Sequence, residues 1–194
     1  MGGAGSGKDT MAEVICSMVP DCHQLAFADA VKHSSAEMIK SFLEKHDISH
    51  PLHEATYPID PELKSLLRPL WQWLGTDLVR ETIDKDFWVK RLDERMEEII
   101  SLNKKIDFLY FAKRTEPSFI ISDCRFANER DWAISKNFHV VRIIGRKPRA
   151  GTNLNHASET EHIDLNSDLT YSNVGTIDDM VGWVLEHILP LRKE

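Results

Sequence analysis

Gly2-Gly3-Ala4-Gly5-Ser6-Gly7-Lys8-Asp9-Thr10 opens the chain. Its reading decides the fold. Gly2 and Gly7 fit G-x-x-x-x-G-K, a loop whose backbone N–H groups wrap phosphates while a lysine reaches the outer ones. Such a loop needs positive φ and close backbone approach, both obstructed by a Cβ. A helix expected over residues 8–18 would add its positive N-terminal end to the same anion site. The usual hydroxyl position after the lysine holds Asp9, and the hydroxyl follows one residue later at Thr10. A phosphate-binding loop ordinarily connects a buried parallel strand to its helix, yet only Met1 precedes Gly2. A first strand of ~5 residues is therefore expected upstream. Either the true start lies further back, with Met1 as the strand's last residue, or the chain is a shortened protein. The first reading is favoured, because an empty central slot would expose backbone donors and acceptors on both sides.

Beyond the loop, helices alternate with short apolar runs, the pattern of an α/β fold with a parallel sheet. Strands are expected at 23–27, 119–122, 139–144 and 169–171. Helices are expected at 29–45, 61–74, 86–102, 127–136 and 176–189. The helix over 29–45 places Val31, Met38, Ile39 and Phe42 near helical spacing, and that over 86–102 carries a buried stripe of Phe87, Val89, Leu92, Met96 and Ile99. Thr176 with Asp179 forms a capping box for the closing helix. Residues 46–61 read as a His/Pro-rich connection, and 104–117 stays open between strand, hairpin arm and helix. The 194 residues suit one domain, with a helical region over about 29–103 and a basic, lid-like loop over about 145–160.

The chain has 24 Lys+Arg against 31 Asp+Glu, a net charge of −7. That balance argues against general duplex binding, which needs a basic face. No apolar run approaches ~18 residues, so membrane insertion is not expected. Cys16, Cys22 and Cys124 are odd in number and lack C-x-x-C spacing. They argue against a disulfide framework or zinc site and fit a reducing cytosol. Oligomeric state is open, a homodimer among the options.

Phe119-Ile120-Ile121-Ser122-Asp123 is an apolar strand that delivers a carboxylate at its C-terminal end, the edge where open α/β sheets bind ligands. Beside a phosphate-binding loop, an acid there holds Mg²⁺. Arg125 follows two residues later.

The G-K-x-T spacing resembles nucleoside monophosphate kinases. Three further segments sharpen the resemblance. Asp123-Cys124-Arg125-Phe126 with Asn128-Glu129 resembles the D-x-R-F-x-N-E segment of phage deoxynucleoside monophosphate kinases. Gly75-Thr76-Asp77-Leu78 with Arg80, then Phe87-Trp88-Val89, resembles their G-T-D-x-x-R and W-V segments. His156-Ala157-Ser158-Glu159-Thr160, then Asn173-Val174-Gly175-Thr176, resembles their H-x-S-E and N-x-G-T tail. Together these span nearly the whole chain in order.

The resemblance implies a three-layer phosphate-loop fold and transfer of a phosphoryl group from ATP to a deoxynucleoside monophosphate, with Mg²⁺. Small-molecule nucleotides are then the partners, and a phage origin with work in the host cytoplasm is implied. Gly3, Gly5, Ser6, Gly7, Lys8, Asp9 and Thr10 would hold ATP, with Thr10 and Asp123 on the metal. Lys8, Asp123, Arg125 and Arg146 form the expected catalytic set. Lys32, Arg68, Gln72, Asp77, Arg80 and Arg125 would take the acceptor. Arg68 and Gln72 share a helix face, so the amide suits a base edge and the guanidinium a phosphate. Arg146, Lys147 and Arg149 suit a lid over the donor phosphates that excludes water. His156 and Glu159 would contact nucleotide or fix that loop. Trp71, Trp73 and Trp88 are expected in the core. A kinase of phosphomevalonate or dephospho-coenzyme A, a non-catalytic nucleotide-binding protein and, less favoured at −7, a polynucleotide 5′-kinase are the alternatives.

Overall fold

A computed structural model describes residues 1–3, 5–49, 61–110, 116–145, 160–163 and 165–191. These fall into two compact units: Met1–Ala26 with Leu92–Glu194, and Phe27–Arg91. Among the described residues no helix is long and apolar enough to cross a membrane.

The first unit begins with helix α1 (Lys8–Met18), strand β1 (Cys22–Leu25) and, after the second unit, the later part of helix α4 (Phe87–Tyr110). Strand β2 (Ser118–Ile121), helix α5 (Ala127–Ser135), strand β3 (Val141–Ile144), strand β4 (Leu169–Ser172) and helix α6 (Ile177–His187) follow. The strands form two parallel pairs. β1 lies on β2 with Cys22 opposite Ser118 and Leu25 opposite Ile121. β3 lies on β4 with Val141 opposite Leu169 and Ile144 opposite Ser172. Met1 continues the second ladder: its amino group donates to the Val141 carbonyl, and its own carbonyl accepts from Ile143 N–H at 2.8 Å. Its backbone thus alternates with β3 as a parallel strand residue does.

The core of this unit joins Met11, Val14 and Ile15 of α1 to Ile143 of β3, Tyr171 of β4 and Met180 and Val184 of α6. Val184 is fully buried. α6 starts as its sequence predicts: the Asp179 carboxylate accepts from Thr176 N–H at 2.7 Å, and Thr176 Oγ1 accepts from Asp179 N–H at 3.3 Å. The Thr176 N–H bond, and a second bond that Thr176 Oγ1 donates to the same carboxylate at 2.8 Å, lower the Asp179 pKa.

One expectation about this unit is corrected. Cys16 and Cys22 form a disulfide with Cα atoms 5.0 Å apart. α1 ends at Met18, and the turn into β1, with Asp21 at φ 50°, brings the chain straight back alongside it. The open stretch after residue 103 continues as helix α4 to Tyr110, and β2 starts at Ser118.

The second unit holds α2 (Phe27–Lys45), α3 (Pro61–Gln72), a π-helical segment (Trp73–Ile83) and the start of α4. The expected helix over 61–74 changes character at Trp73, where the bonds widen to i→i+5; Asp84 N–H to the Val79 carbonyl at 2.9 Å is the last. Gly75 lets this segment approach α2, since a Cβ there would lie 3.2 Å from Val31 Cγ2. Trp88 is buried and donates from Nε1 to the Gly75 carbonyl at 2.7 Å. Trp71 donates to the buried Ser35 hydroxyl at 2.9 Å. Trp73 departs from the core expectation at 48 % exposure, and Met38 and Phe42 of α2 are exposed as well. Along α4 the stripe of Val89, Leu92, Met96 and Ile99 is buried, while Phe87 is half-buried beneath the Arg91 guanidinium.

Candidate functional site

Gly5 and Gly7 adopt φ 81° and 100°, in the left-handed region where a side chain is strained. Gly7 is the N-cap of α1, so the loop ends where the helix presents its unpaired first-turn N–H groups. Gly2 lies against β3, and a Cβ on it would meet the Ile143 carbonyl oxygen at 2.5 Å. Lys8 folds back over the loop, donating from Nζ to the Gly2 and Gly3 carbonyls at 2.7 and 2.8 Å. Ser6 is buried, and its Oγ has no hydrogen-bond partner among the described residues. The result is a turn lined by amide N–H groups with an ammonium across its mouth, a suitable receptor for an anion.

β2 ends beside this loop. The buried Met1 amino group feels Cys124, Lys8, Arg142 and Asp123, and burial, the largest influence, pushes its pKa down to about 6. The Asp123-to-Phe126 turn is held by Glu129, which is buried and accepts from Arg125 N–H at 2.7 Å and Phe126 N–H at 3.1 Å. Glu161 caps the same helix from a distance, accepting from Ala127 N–H at 3.0 Å. Cys124 sits inside this turn. Burial first, then the nearby Glu129 charge, pushes its thiol up to about 12.

Of the expected site residues, the structure brings Lys8, the loop glycines, Asp9, Thr10, Asp123 and Arg125 into the first unit. Lys32, Arg68, Gln72, Asp77 and Arg80 belong to the second. There, Lys32 is largely buried and pairs with Asp29 at 3.1 Å. Arg68 and Gln72 are half-buried on α3, and Asp77 is exposed on the π-helical segment. Arg80 donates to the Lys85 carbonyl at 3.2 Å and lies 3.7 Å from Glu81. Arg146, Lys147, Arg149, His156 and Glu159 lie outside the described residues.

A sequence model described as deoxynucleotide monophosphate kinase matches residues 52–183. The chain belongs to that family. It is a phosphotransferase of the deoxynucleotide monophosphate kinase type, and the match is independent of the glycine-rich loop of residues 2–10, which lies before residue 52. The matched stretch instead contains the π-helical segment, the Asp123 turn, both strands of the second ladder and most of α6. Among curated proteins no relative matches the chain.

Among the described residues, no group of three or more His, Cys, Asp or Glu could hold a metal ion by itself. Mg²⁺ does not need such a cage, because in phosphoryl transfer it is held by one or two protein oxygens plus the substrate phosphates. Thr10, in the first turns of α1, and Asp123, just past β2, each carry a hard oxygen.

Sequence reasoning quoted Glu129 and Asn173 without giving either a role. Glu129 caps a turn whose N-cap is Phe126, so the usual polar capping signature is missing. Asn173 reaches the loop from 167 residues away.

Proposed function

We propose that the chain transfers the γ-phosphoryl group of ATP to a deoxynucleoside 5′-monophosphate on a phosphate-loop α/β scaffold, yielding the diphosphate and ADP. An oxygen of the acceptor phosphate attacks the γ-phosphorus. The new O–P bond forms as the bond to the β,γ-bridging oxygen breaks, and that electron pair leaves on ADP. The attacking oxygen is already ionised at neutral pH, so no side chain has to remove a proton.

The N–H groups from Gly5 to Thr10 hold the donor phosphates, and Lys8 places a point charge on the outer ones. Thr10 and Asp123 would hold Mg²⁺, with Asp9 assisting through water. When bound, the ion neutralises phosphate charge and orients the transferring group. Arg125 grips phosphate with its fork. In the second unit, Lys32 and Arg68 take the acceptor phosphate, Gln72 reads the base, and Asp77 and Arg80 complete the acceptor region. Arg146 and Arg149 neutralise charge that develops on the donor, and His156 and Glu159 contact nucleotide. Such a reaction depends on positioning and charge neutralisation more than on covalent chemistry by the protein.

The reading is carried by one observation: the Gly5–Gly7 turn at the start of α1, with Lys8 across it. Its test is ATP-dependent diphosphate formation from a panel of deoxynucleoside and ribonucleoside monophosphates, with Lys8→Ala alongside. Lys8→Ala is expected to abolish transfer while circular dichroism and the urea midpoint stay near those of the parent chain. A kcat preserved within about tenfold, about 1.4 kcal/mol in barrier, would sink the assignment.

A further inference from the structure

The outer side of the loop is occupied by a side chain from the far end of the chain. Asn173 follows β4 and is 1 % exposed. Its Nδ2 donates to the Ser6 carbonyl at 2.7 Å. A Cβ built on Gly7 would lie 2.2 Å from that same nitrogen, so the absent side chain of Gly7 makes the room the amide fills. Asn173 is itself tied down, because its backbone N–H donates to the Ile144 carbonyl at 2.8 Å. Gly145, at φ 104°, lets that segment close, since a Cβ there would meet Val174 Cγ1 at 2.9 Å and Asn173 N at 3.3 Å.

We propose that Asn173 is a positioning residue of the donor site, fixing the Ser6–Gly7 peptide in the orientation that phosphate binding requires. This rests on the reading of residues 2–10 as the loop that holds the donor phosphates. In a trans peptide the carbonyl and the following N–H point in opposite directions. Pinning the Ser6 carbonyl to Asn173 therefore turns the Gly7 N–H away from Asn173. Without the pin, this peptide, flanked by a glycine at positive φ, has little to stop it rotating.

A role in stability alone fits poorly. Asn173 Oδ1 is buried with no hydrogen-bond partner among the described residues. A half-satisfied buried amide is a worse core residue than an apolar one of similar size. Its retention makes sense where the donor, not the packing, is needed.

The test uses the full chain with Asn173→Leu, which keeps the size and removes the donor, and Asn173→Ala, in case leucine does not fold. MgATP affinity is measured by calorimetry, KM for ATP and for the acceptor by steady-state kinetics, and the unfolding temperature by scanning. The expected result is a loss of MgATP affinity of about tenfold or more, with acceptor KM unchanged within about twofold. An unchanged MgATP affinity in a variant with a lowered unfolding temperature would overturn the proposal, as would failure of both variants to fold. Lys8→Ala separates the two readings. If it leaves MgATP affinity intact, the donor-site assignment falls; if it weakens binding while the Asn173 variants do not, only the positioning role falls.

Discussion

Replacing Glu129 by alanine should unseat the turn that carries Asp123 and Arg125, and the size of the effect can be worked out. The buried carboxylate accepts two backbone N–H groups on one oxygen, from Arg125 at 2.7 Å and Phe126 at 3.1 Å. Glu129→Ala removes both bonds. Leaving a buried donor unpaired costs about 1–3 kcal/mol. The Phe126 N–H is buried and the Arg125 N–H only partly so. A total near 3 kcal/mol is therefore expected. Glu129→Gln keeps one oxygen able to accept both bonds and loses only the charge, so about 1 kcal/mol is expected from the weaker bonds and helix-end interaction. With a urea slope of about 2 kcal/mol/M, the midpoint should fall by about 1.5 M for alanine and about 0.5 M for glutamine. Diphosphate formation by the folded variants should follow the same order. Equal shifts for both variants, or a shift under about 0.5 M for alanine, would refute the two-bond account, since the surviving oxygen is their sole difference in acceptor capacity.

Two further perturbations test other parts of the molecule. The Cys124 thiol, pushed by burial up to about 12 against an ordinary value of 9.0, should resist iodoacetamide in the folded chain and react in urea. Because the unfolded chain releases that proton first, the thiol's contribution to stability is complete below pH 9 and is lost as pH rises from about 9 to 12, which urea midpoints across that range would register. Gly75→Ala places a methyl 3.2 Å from Val31 Cγ2 and 3.4 Å from Cγ1. It should destabilise by about 1–2 kcal/mol, and a Val31→Ala background should recover most of that in a double-mutant cycle.

Features with a local cause were readable from the sequence. The Thr176–Asp179 box needs only four consecutive residues, and the Phe119–Ile121 run is apolar enough to declare a buried strand. The loop glycines announce their own positive φ. What escaped depends on contacts distant in sequence or on backbone geometry without a side-chain signature. A π-helical stretch and an α-helix share nearly the same residue preferences, so nothing in Trp73–Ile83 marks the change, and Trp73, its first residue, is exposed. The Cys16–Cys22 bond follows from a turn that Asp21 makes at positive φ, which no cysteine spacing encodes. Of the five expected residues in the basic stretch, Arg146, Lys147, Arg149, His156 and Glu159, none lies among the described residues.

The glycine-rich loop of residues 2–10 is held from two sides, and the two holds differ in kind. Asn173 grips the Ser6 carbonyl through a neutral amide that is fully buried, so nothing that enters the loop competes for it. Lys8 grips the Gly2 and Gly3 carbonyls through an ammonium that is only partly buried. Those carbonyls are neutral acceptors, whereas a phosphate oxygen carries a charge opposite to that of the ammonium. A phosphate reaching the loop would therefore draw the ammonium from the carbonyls, leaving the amide's grip unchanged. Lys8 is the exchangeable half of the clamp and Asn173 the permanent half. It follows that the two substitutions do not remove the same thing. Lys8→Ala deletes the charge that meets the ligand together with a bridge that shapes the loop. The Asn173 variants delete a bridge and leave every charge in place. The deficit in MgATP affinity that they share measures how much of phosphate binding is loop shape, and the remainder found only in Lys8→Ala is the attraction of the ammonium itself.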